Sequence, residues 1–216
     1  EGSALAAPPL VPARRDEPLP LSFAQQRLWF IEQLRPGQAA YHLPVALRLH
    51  GPLDPAVLER ALTEIVRRHE SLRTTFRAEG GEPVQVVAPP APFHLPVTDL
   101  RTLPADERSG AARALARDEA VRPFRLDSEP PVRARLARLD AEEWQLSFTL
   151  HHIAGDGWSL GVLVREVSAL YEAFAAGAPS PLAPLPVQYA DYAVWQRAWL
   201  SGDVLEAQIA WWRDWL

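Results

Sequence analysis

The feature that most constrains the fold is a pair of strand-like segments followed at once by an amphipathic helix. The segments VRARLARL (132–139) and EEWQLSFTLHH (142–152) are separated by Asp140-Ala141, which predicts an antiparallel hairpin. Alternation gives the second strand two different faces. The apolar face is formed by Trp144, Leu146, Phe148 and Leu150, and the polar face by Gln145, Ser147, Thr149 and His151. The helix begins after Gly157 and ends at Gly177 and Pro179. Both apolar faces need burial, so the segment predicts a layered fold.

The rest of the chain alternates between helical and strand periodicity. Ser22 and Gln25 have the spacing of a capping box, and Asp54 with Pro55 is typical of a helix start. Helices are predicted over 22–34, 55–66, 104–120, 187–200 and 203–216, with strands over 41–51, 71–78 and 83–88. Asp203 and Glu206 are candidate caps of the last helix. The pattern predicts an α/β (α+β) sandwich, a mixed β-sheet with helices packed on it.

Composition excludes several classes of protein. The net charge of −5 argues against nucleic acid and anionic membranes as partners. The chain has no cysteine, so thiolate chemistry is excluded, and it has no apolar run long enough to span a membrane. We expect a cytoplasmic protein. Residues 1–20 contain five prolines without periodicity and are predicted to form a flexible linker.

The stretch HHIAGDGWS, residues 151–159, is the strongest candidate for a site. In a straight strand His151 and His152 point to opposite faces, with His152 on the apolar one, so they cannot both bind one metal. The remaining histidines show no ligand spacing, and no metal site is predicted. A structural interpretation makes one histidine a core residue and Asp156 a turn and cap residue. A functional interpretation makes one histidine a general base beside Asp156.

Four segments together resemble one family. The stretch from His151 to Gly157 resembles the HHxxxDG motif of nonribosomal peptide synthetase condensation domains. Three other stretches resemble the first, second and fourth segments of that family: SFAQQRLWFIEQL (22–34), RHESLRTTF (68–76) and YADYAVWQR (189–197). HHxxxDG alone also occurs in other acyltransferases related to chloramphenicol acetyltransferase, but the four in this order are specific. The resemblance implies a chloramphenicol acetyltransferase-like fold. Residues 21–216 would then be the N-terminal lobe of a V-shaped, two-lobed domain whose C-terminal lobe is absent, and residues 1–20 the linker after a carrier protein.

The resemblance also implies the chemistry. In the family, the α-amine of one carrier-bound aminoacyl group attacks the thioester of another, and an amide forms. The substrates hang on phosphopantetheine arms of donor and acceptor carrier proteins, and no cofactor is bound directly. An adjacent adenylation domain and the second lobe are the other implied partners.

Roles at the HHxxxDG motif follow from the same resemblance. His152 matches the histidine with the base or positioning role, and His151 matches the structural one. Asp156 is expected to form an ion pair with an arginine, and Gly157 to permit the turn and offer its N–H to the substrate or oxyanion. Trp158 is expected to pack. Ser159 is interpreted as a helix cap rather than a nucleophile, because no G-x-S-x-G elbow is present.

The other segments supply supporting residues. Arg68 and Arg73 match the two arginines of the second segment. Arg73 is predicted to lie in a strand that begins at about residue 71 and to face away from the apolar layer. A structural role is favoured for both arginines. Tyr189, Asp191 and Trp195 match the fourth segment, where helical spacing places the aromatic side chains mostly in the core. They are also candidates for lining the tunnel between the lobes.

Two alternatives stay open. A non-catalytic module that recruits carrier or tailoring proteins usually loses parts of HHxxxDG, and this chain keeps all of it. A coenzyme A-dependent acyltransferase is disfavoured by the 189–197 segment and the linker. Within the family, residues 22–34 resemble the subtype that accepts L-configured donors.

Overall fold

The computed structural model describes residues 7–216. Its helices and strands are β1 (Leu19–Pro20), α1 (Phe23–Leu34), β2 (His42–His50), α2 (Pro55–Arg68), β3 (Thr74–Glu79), β4 (Glu82–Val87), β5 (Val97–Asp99), α3 (Ala105–Val121), β6 (Val132–Asp140), β7 (Glu143–His151), α4 (Gly157–Ala175), α5 (Tyr189–Trp199) and α6 (Gly202–Trp215). Every predicted helix is present. The mixed α/β class is therefore confirmed.

The larger of the two sheets holds the predicted hairpin at its centre. Its strand order is β2-β7-β6-β5, and β5 runs parallel to β6 while the other pairs are antiparallel. Asp140 pairs with Glu143, so the turn is formed by Ala141 and Glu142, one residue later than predicted. A smaller antiparallel sheet has the order β1-β4-β3.

Helices cover both faces of the larger sheet. The predicted apolar face of β7 packs against α2 and α4, where Leu58, Leu150 and Leu163 are buried. The polar face is also buried, because α3 lies over it and Gln145 Nε2 donates to the Ala112 carbonyl at 2.7 Å. Polar side chains of β7 thus end inside the protein, where each needs a hydrogen-bond partner.

The N-terminal segment follows the surface of the fold. The Ala13 N–H donates to Asp191 Oδ1 at 2.9 Å, and the Trp195 indole N–H donates to the Pro8 carbonyl at 2.7 Å. Leu19 and Pro20 pair with β4. We predicted a flexible segment over 1–20; from Pro8 onward it is attached, and residues 1–6 lie outside the described part of the chain.

The last helix has no tertiary cover. No residue of α6 is buried, and its large apolar side chains are exposed: Leu205, Ile209, Trp211, Trp212 and Trp215. Ser201 takes the N-cap position without a side-chain hydrogen bond, so the prediction that Asp203 and Glu206 cap this helix is wrong. Among residues 7–216, no helix combines the length and the hydropathy that a membrane span requires.

Candidate active site

The HHxxxDG stretch forms the connection from the central strand β7 to α4. His151 is the last residue of β7 and is in register with His42 of β2. A turn follows, closed by a hydrogen bond from the Ala154 N–H to the His151 carbonyl at 3.0 Å. The stretch therefore lies at the C-terminal end of a central strand of the larger sheet, directly before the N-terminus of a long helix.

The first histidine of the motif is a buried anchor. His151 is 1% exposed, and its Nδ1 accepts the N–H of Ile153 at 3.1 Å. Burial, followed by the nearby His42, His152 and Arg133, lowers the pKa of His151 from its ordinary 6.5 to about 4. At neutral pH the ring is uncharged, and its Nδ1 lone pair holds the loop.

The second histidine is exposed. Its backbone N–H donates to the Tyr41 carbonyl at 2.8 Å, and the next residue, Ile153, is buried among apolar side chains. Because β7 ends at His151, the expectation that His152 continues the apolar face is wrong. Of the two histidines, His151 and not His152 is the core residue. With both neighbours anchored, the His152 side chain is directed outward from a fixed backbone.

Asp156 caps α4. Its Oδ1 accepts the N–H of Ser159 at 2.9 Å and the Ser159 hydroxyl at 2.8 Å, while the Ser159 Oγ accepts the Asp156 N–H at 3.1 Å. These hydrogen bonds, the one from the Ser159 N–H first, lower the pKa of Asp156. The carboxylate is exposed and forms no ion pair within residues 7–216, so the expected partnership with an arginine is not present there. The reciprocal pair is a capping box.

Two glycines in the loop differ in what the fold demands of them. A Cβ at Gly155 would lie 2.8 Å from Leu150 Cδ2 and 3.0 Å from Ser159 Cβ, whereas a Cβ at Gly157 would meet no atom within 4 Å. Gly157 does not adopt a positive φ, so the turn does not require a glycine there. The Gly157 N–H, at the first residue of α4, donates to no atom of the described residues. Sequence reasoning assigned the steric role to Gly157 and missed Gly155.

Trp158 differs from its prediction. Its side chain is 82% exposed in the first turn of α4, so the expectation that it packs is wrong. It borders a cavity of about 370 Å³ that His69 of the second segment and Tyr189 and Tyr192 of α5 also line. The start of α4 thus forms one wall of this cavity, opposite residues of the second and fourth segments.

The arginines of the second segment bind other parts of the fold. Arg68 donates to Glu166 of α4 at 3.2 Å and to the Ala183 carbonyl. Arg73 lies in a 3₁₀ turn over Glu70–Arg73 rather than in a strand, so its predicted position is wrong; it donates to the Ala88 carbonyl. These contacts tie α2 to α4 and the turn to the end of β4, and neither arginine reaches the loop.

The fourth segment forms α5. Its aromatic rings, at residues 189, 192, 195 and 199, contact one another in sequence, with the centres of successive rings 4.9 to 5.8 Å apart. They are partly exposed, and the buried residues of the helix are Ala190, Asp191 and Ala193, so the prediction of a mostly core aromatic stripe is wrong. Asp191 is 2% exposed and accepts from Arg15 Nη1 at 2.7 Å and from the Gln188 N–H at 2.6 Å.

The fold and the loop together define a class of protein: a mixed α/β fold of the chloramphenicol acetyltransferase-like kind, with an exposed histidine on an anchored strand-to-helix connection. The sequence profile of the Condensation domain family matches residues 16–216. The chain belongs to this family.

Relatives and solved structures agree with that assignment. A linear gramicidin synthase subunit of Brevibacillus parabrevis is 49% identical over 203 residues, which is 94% of this chain and 3% of that protein. The X-domain from teicoplanin biosynthesis has a TM-score of 0.84 at 35% identity, covering 96% of this chain and 45% of that one. The first condensation domain of the calcium-dependent antibiotic synthetase, solved with a substrate analogue, has a TM-score of 0.80 at 27% identity, with 91% and 47% covered. The chain thus spans slightly less than half of these solved domains.

Proposed function

We propose that residues 21–216 are the N-terminal lobe of a condensation domain that forms amide bonds in nonribosomal peptide synthesis. The observation that carries the proposal is the outward-facing His152 on a loop fixed by its neighbours. Relatives named as synthetases and the family assignment support it. The preference for L-configured donors stays a prediction.

His152 is the residue we propose to act on the proton of the acceptor amine. As the amine attacks the thioester carbonyl, a C–N bond forms, the C–S bond breaks, and one proton passes from the amine to the leaving thiolate. An imidazole can take up and release that proton at neutral pH, or it can orient the amine. His151 cannot replace it, because its ring is buried and its Nδ1 already holds the Ile153 N–H.

The start of α4 is the proposed site for the negative charge that develops on the carbonyl oxygen. The Gly157 N–H is unengaged within the described residues and lies at the positive end of a 19-residue helix. Asp156 contributes by fixing that helix end through its hydrogen bonds to Ser159. We assign Asp156 a positioning role rather than proton transfer.

The remaining components follow from the same proposal. The substrates are aminoacyl or peptidyl groups on the phosphopantetheine arms of a donor and an acceptor carrier protein, and the module functions in the cytoplasm beside an adenylation domain. Residues 1–20 connect the lobe to the preceding carrier protein. A second lobe supplies the other wall of the reaction site. The lobe described here is inactive alone, because one wall cannot hold the amine and the thioester in reactive geometry.

The test uses the two-lobed domain with one donor and one acceptor carrier protein, each loaded with an aminoacyl group. Intact-protein mass spectrometry follows transfer onto the acceptor. We expect His152→Ala to abolish transfer, and the matched variant His94→Ala, exposed and far along the chain from the loop, to retain it. Transfer by His152→Ala at the unmodified rate would overturn the proposed role.

Recruitment of a tailoring protein is a second candidate function. It is favoured by one observation: a further solved structure, of the teicoplanin X-domain in complex with OxyB, is 35% identical to this chain with a TM-score of 0.83. A two-lobed domain that binds a tailoring protein but transfers nothing between loaded carriers would support it. Adding acyl-coenzyme A in place of the donor carrier tests the remaining alternative, a coenzyme A-dependent transferase.

A further inference from the structure

Two buried imidazoles face each other beneath the loop. His42 of β2 and His151 of β7 are paired in register, and their ring centres are 5.9 Å apart. Each ring meets Phe124 edge-on, at 5.0 Å and 5.9 Å between ring centres. Both side chains are buried, so any polar atom on them needs a partner inside the protein.

The hydrogen bonds of the two rings assign their tautomers. His42 Nδ1 lies 2.7 Å from the Ala120 carbonyl of α3, which can only accept, so Nδ1 carries the proton. His151 Nδ1 accepts the Ile153 N–H at 3.1 Å, so the proton of that ring is on Nε2. The two Nε2 atoms, both buried, have no hydrogen-bond partner among the described residues. One is therefore an acceptor, and the other is a donor.

The surroundings keep the pair uncharged. Arg133 of β6 lies over the Phe124 ring and pairs with Glu119 of α3 at 2.7 Å. Glu32 of α1 is the other charged group that acts on His42, and His152 is the other titratable group that acts on His151. Burial lowers the pKa of both rings, and Arg133 lowers both further. Each ring then keeps one proton, at the position that its backbone partner selects.

We propose that His42 is a positioning residue of the site: one water molecule between the two rings accepts the Nε2–H of His151 and donates to the Nε2 of His42. This contact selects the tautomer in which His151 Nδ1 remains an acceptor. In the other tautomer a second donor would face the Ile153 N–H, and the hydrogen bond that anchors the loop would be lost. The chain of contacts thus runs from the Ala120 carbonyl through both imidazoles to the residue beside His152.

The structural part of the inference is tested without any enzymatic assay. Long-range ¹H–¹⁵N spectra of the ¹⁵N-labelled chain at pH 7.5 distinguish the two neutral tautomers of each ring. We expect His42 protonated on Nδ1 and His151 protonated on Nε2. Protonation of His151 on Nδ1 would overturn the proposal, and this measurement on the unmodified chain does not depend on how any variant folds.

Variants test the dependence of one ring on the other. In His42→Phe the acceptor is removed while an aromatic ring is kept, and we expect the His151 tautomers to mix and the Ile153 amide to exchange with solvent at least about tenfold faster. In His42→Asn an amide supplies one donor and one acceptor, and we expect the single tautomer to be restored. His50→Phe, at the exposed end of the same strand, is the matched control. An unchanged His151 spectrum in a folded His42→Phe would contradict the proposal.

The effect on rate rests on the proposed function. In the two-lobed domain with loaded carriers, we expect His42→Phe to lower kcat by about tenfold or more through misplacement of His152, with KM for the carriers unchanged and recovery in His42→Asn. Absence of transfer by the unmodified domain would count against the proposed function and would leave the tautomer result standing. A normal kcat in His42→Phe would count against His42 as a positioning residue.

Discussion

Leu150 and Gly155 approach so closely that the loop accepts no side chain at position 155: a Cβ there would lie 2.8 Å from Leu150 Cδ2. Leu150 is fully buried in the core that α2 and α4 share, so its side chain has little room to move. Contact between the end of β7 and the loop therefore sets the path of the chain before α4.

A methyl group at position 155 should destabilise the protein. We expect Gly155→Ala to lower the free energy of unfolding by about 1–3 kcal/mol, the usual cost of overfilling a packed site. Gly157→Ala is the matched control, since its Cβ meets nothing within 4 Å, and it should change stability by less than about 0.5 kcal/mol. Urea denaturation measures both. Equal effects of the two variants would show that Leu150 does not restrict the loop.

Removal of the Asp156 side chain should destabilise the protein by the amount that is typical for the loss of a helix N-cap. We expect Asp156→Ala to lower the free energy of unfolding by about 1 kcal/mol, because the Ser159 N–H loses its acceptor at the start of α4. Asp156→Asn keeps a capping oxygen and should be close to the unmodified chain. A loss above about 3 kcal/mol for Asp156→Ala, as for a buried charge partner, would be inconsistent with the exposed position of this carboxylate.

Acid should weaken the fold through His151. The folded pKa is lowered to about 4 from an ordinary value of 6.5, so between these values the unfolded chain binds a proton that the folded chain does not. The neutral His151 ring thus contributes about 3 kcal/mol to the free energy of unfolding. This contribution is present in full above pH 6.5 and is lost as the pH falls towards 4. His42, whose pKa is also lowered, adds to the effect in the same direction.

Urea denaturation at a series of pH values checks this. The difference in stability between the unmodified chain and His151→Gln should shrink as the pH is lowered from 7 to about 4.5, and His94→Gln, at an exposed histidine, is the matched control. A constant difference for His151→Gln would mean that the pKa of His151 is the same in the folded and the unfolded chain.

Arg15, which lies in the N-terminal segment before β1, should stabilise the folded protein. It donates to the buried Asp191 at 2.7 Å and to Glu70 at 2.8 Å, joining the N-terminal segment to α5. We expect Arg15→Ala to lower the free energy of unfolding by about 1–3 kcal/mol, since a buried carboxylate loses a charged donor. Arg14→Ala removes only exposed ion pairs, with Asp16 and Glu17, and should leave the free energy of unfolding nearly unchanged. Thermal and urea denaturation compare the two, and equal costs would contradict attachment through Arg15.

The uncovered helix α6 should cause self-association. Trp211 and Trp215 stack at 5.6 Å between ring centres on an exposed apolar surface, and such surfaces favour contact with other chains. We expect the 216-residue chain to form dimers or larger species, and Trp215→Glu to shift it towards monomer. Asp214→Asn, on the same helix, is the control. Sedimentation equilibrium measures the distribution, and a monomeric unmodified chain at high concentration would contradict the expectation.

Local sequence determined the helices and the longer strands, whereas the short strands β1 and β5 were not predicted. The capping box at Ser22 forms as predicted, and Asp156 caps α4 in agreement with its structural interpretation, because a cap depends on residues three positions apart. The hairpin was predicted to within one residue, and the apolar face of β7 was predicted correctly, because alternation is a property of the strand itself. The four family segments, taken in their order along the chain, were sufficient to identify the family.

Only the tertiary structure decided what surrounds the loop. Strand alternation assumed that β7 continues through His152, but the strand ends one residue earlier, where the Tyr41 carbonyl takes the His152 N–H. The closeness of Leu150 to Gly155, the burial of the polar face under α3 and the pairing of His42 with His151 all depend on how the chain folds back on itself. Periodicity and capping rules describe neighbours along the chain. The exposure of a side chain and its hydrogen-bond partners depend instead on which distant segments of the chain pack against that residue. Such contacts determine the exposure of His152 and the burial of His151.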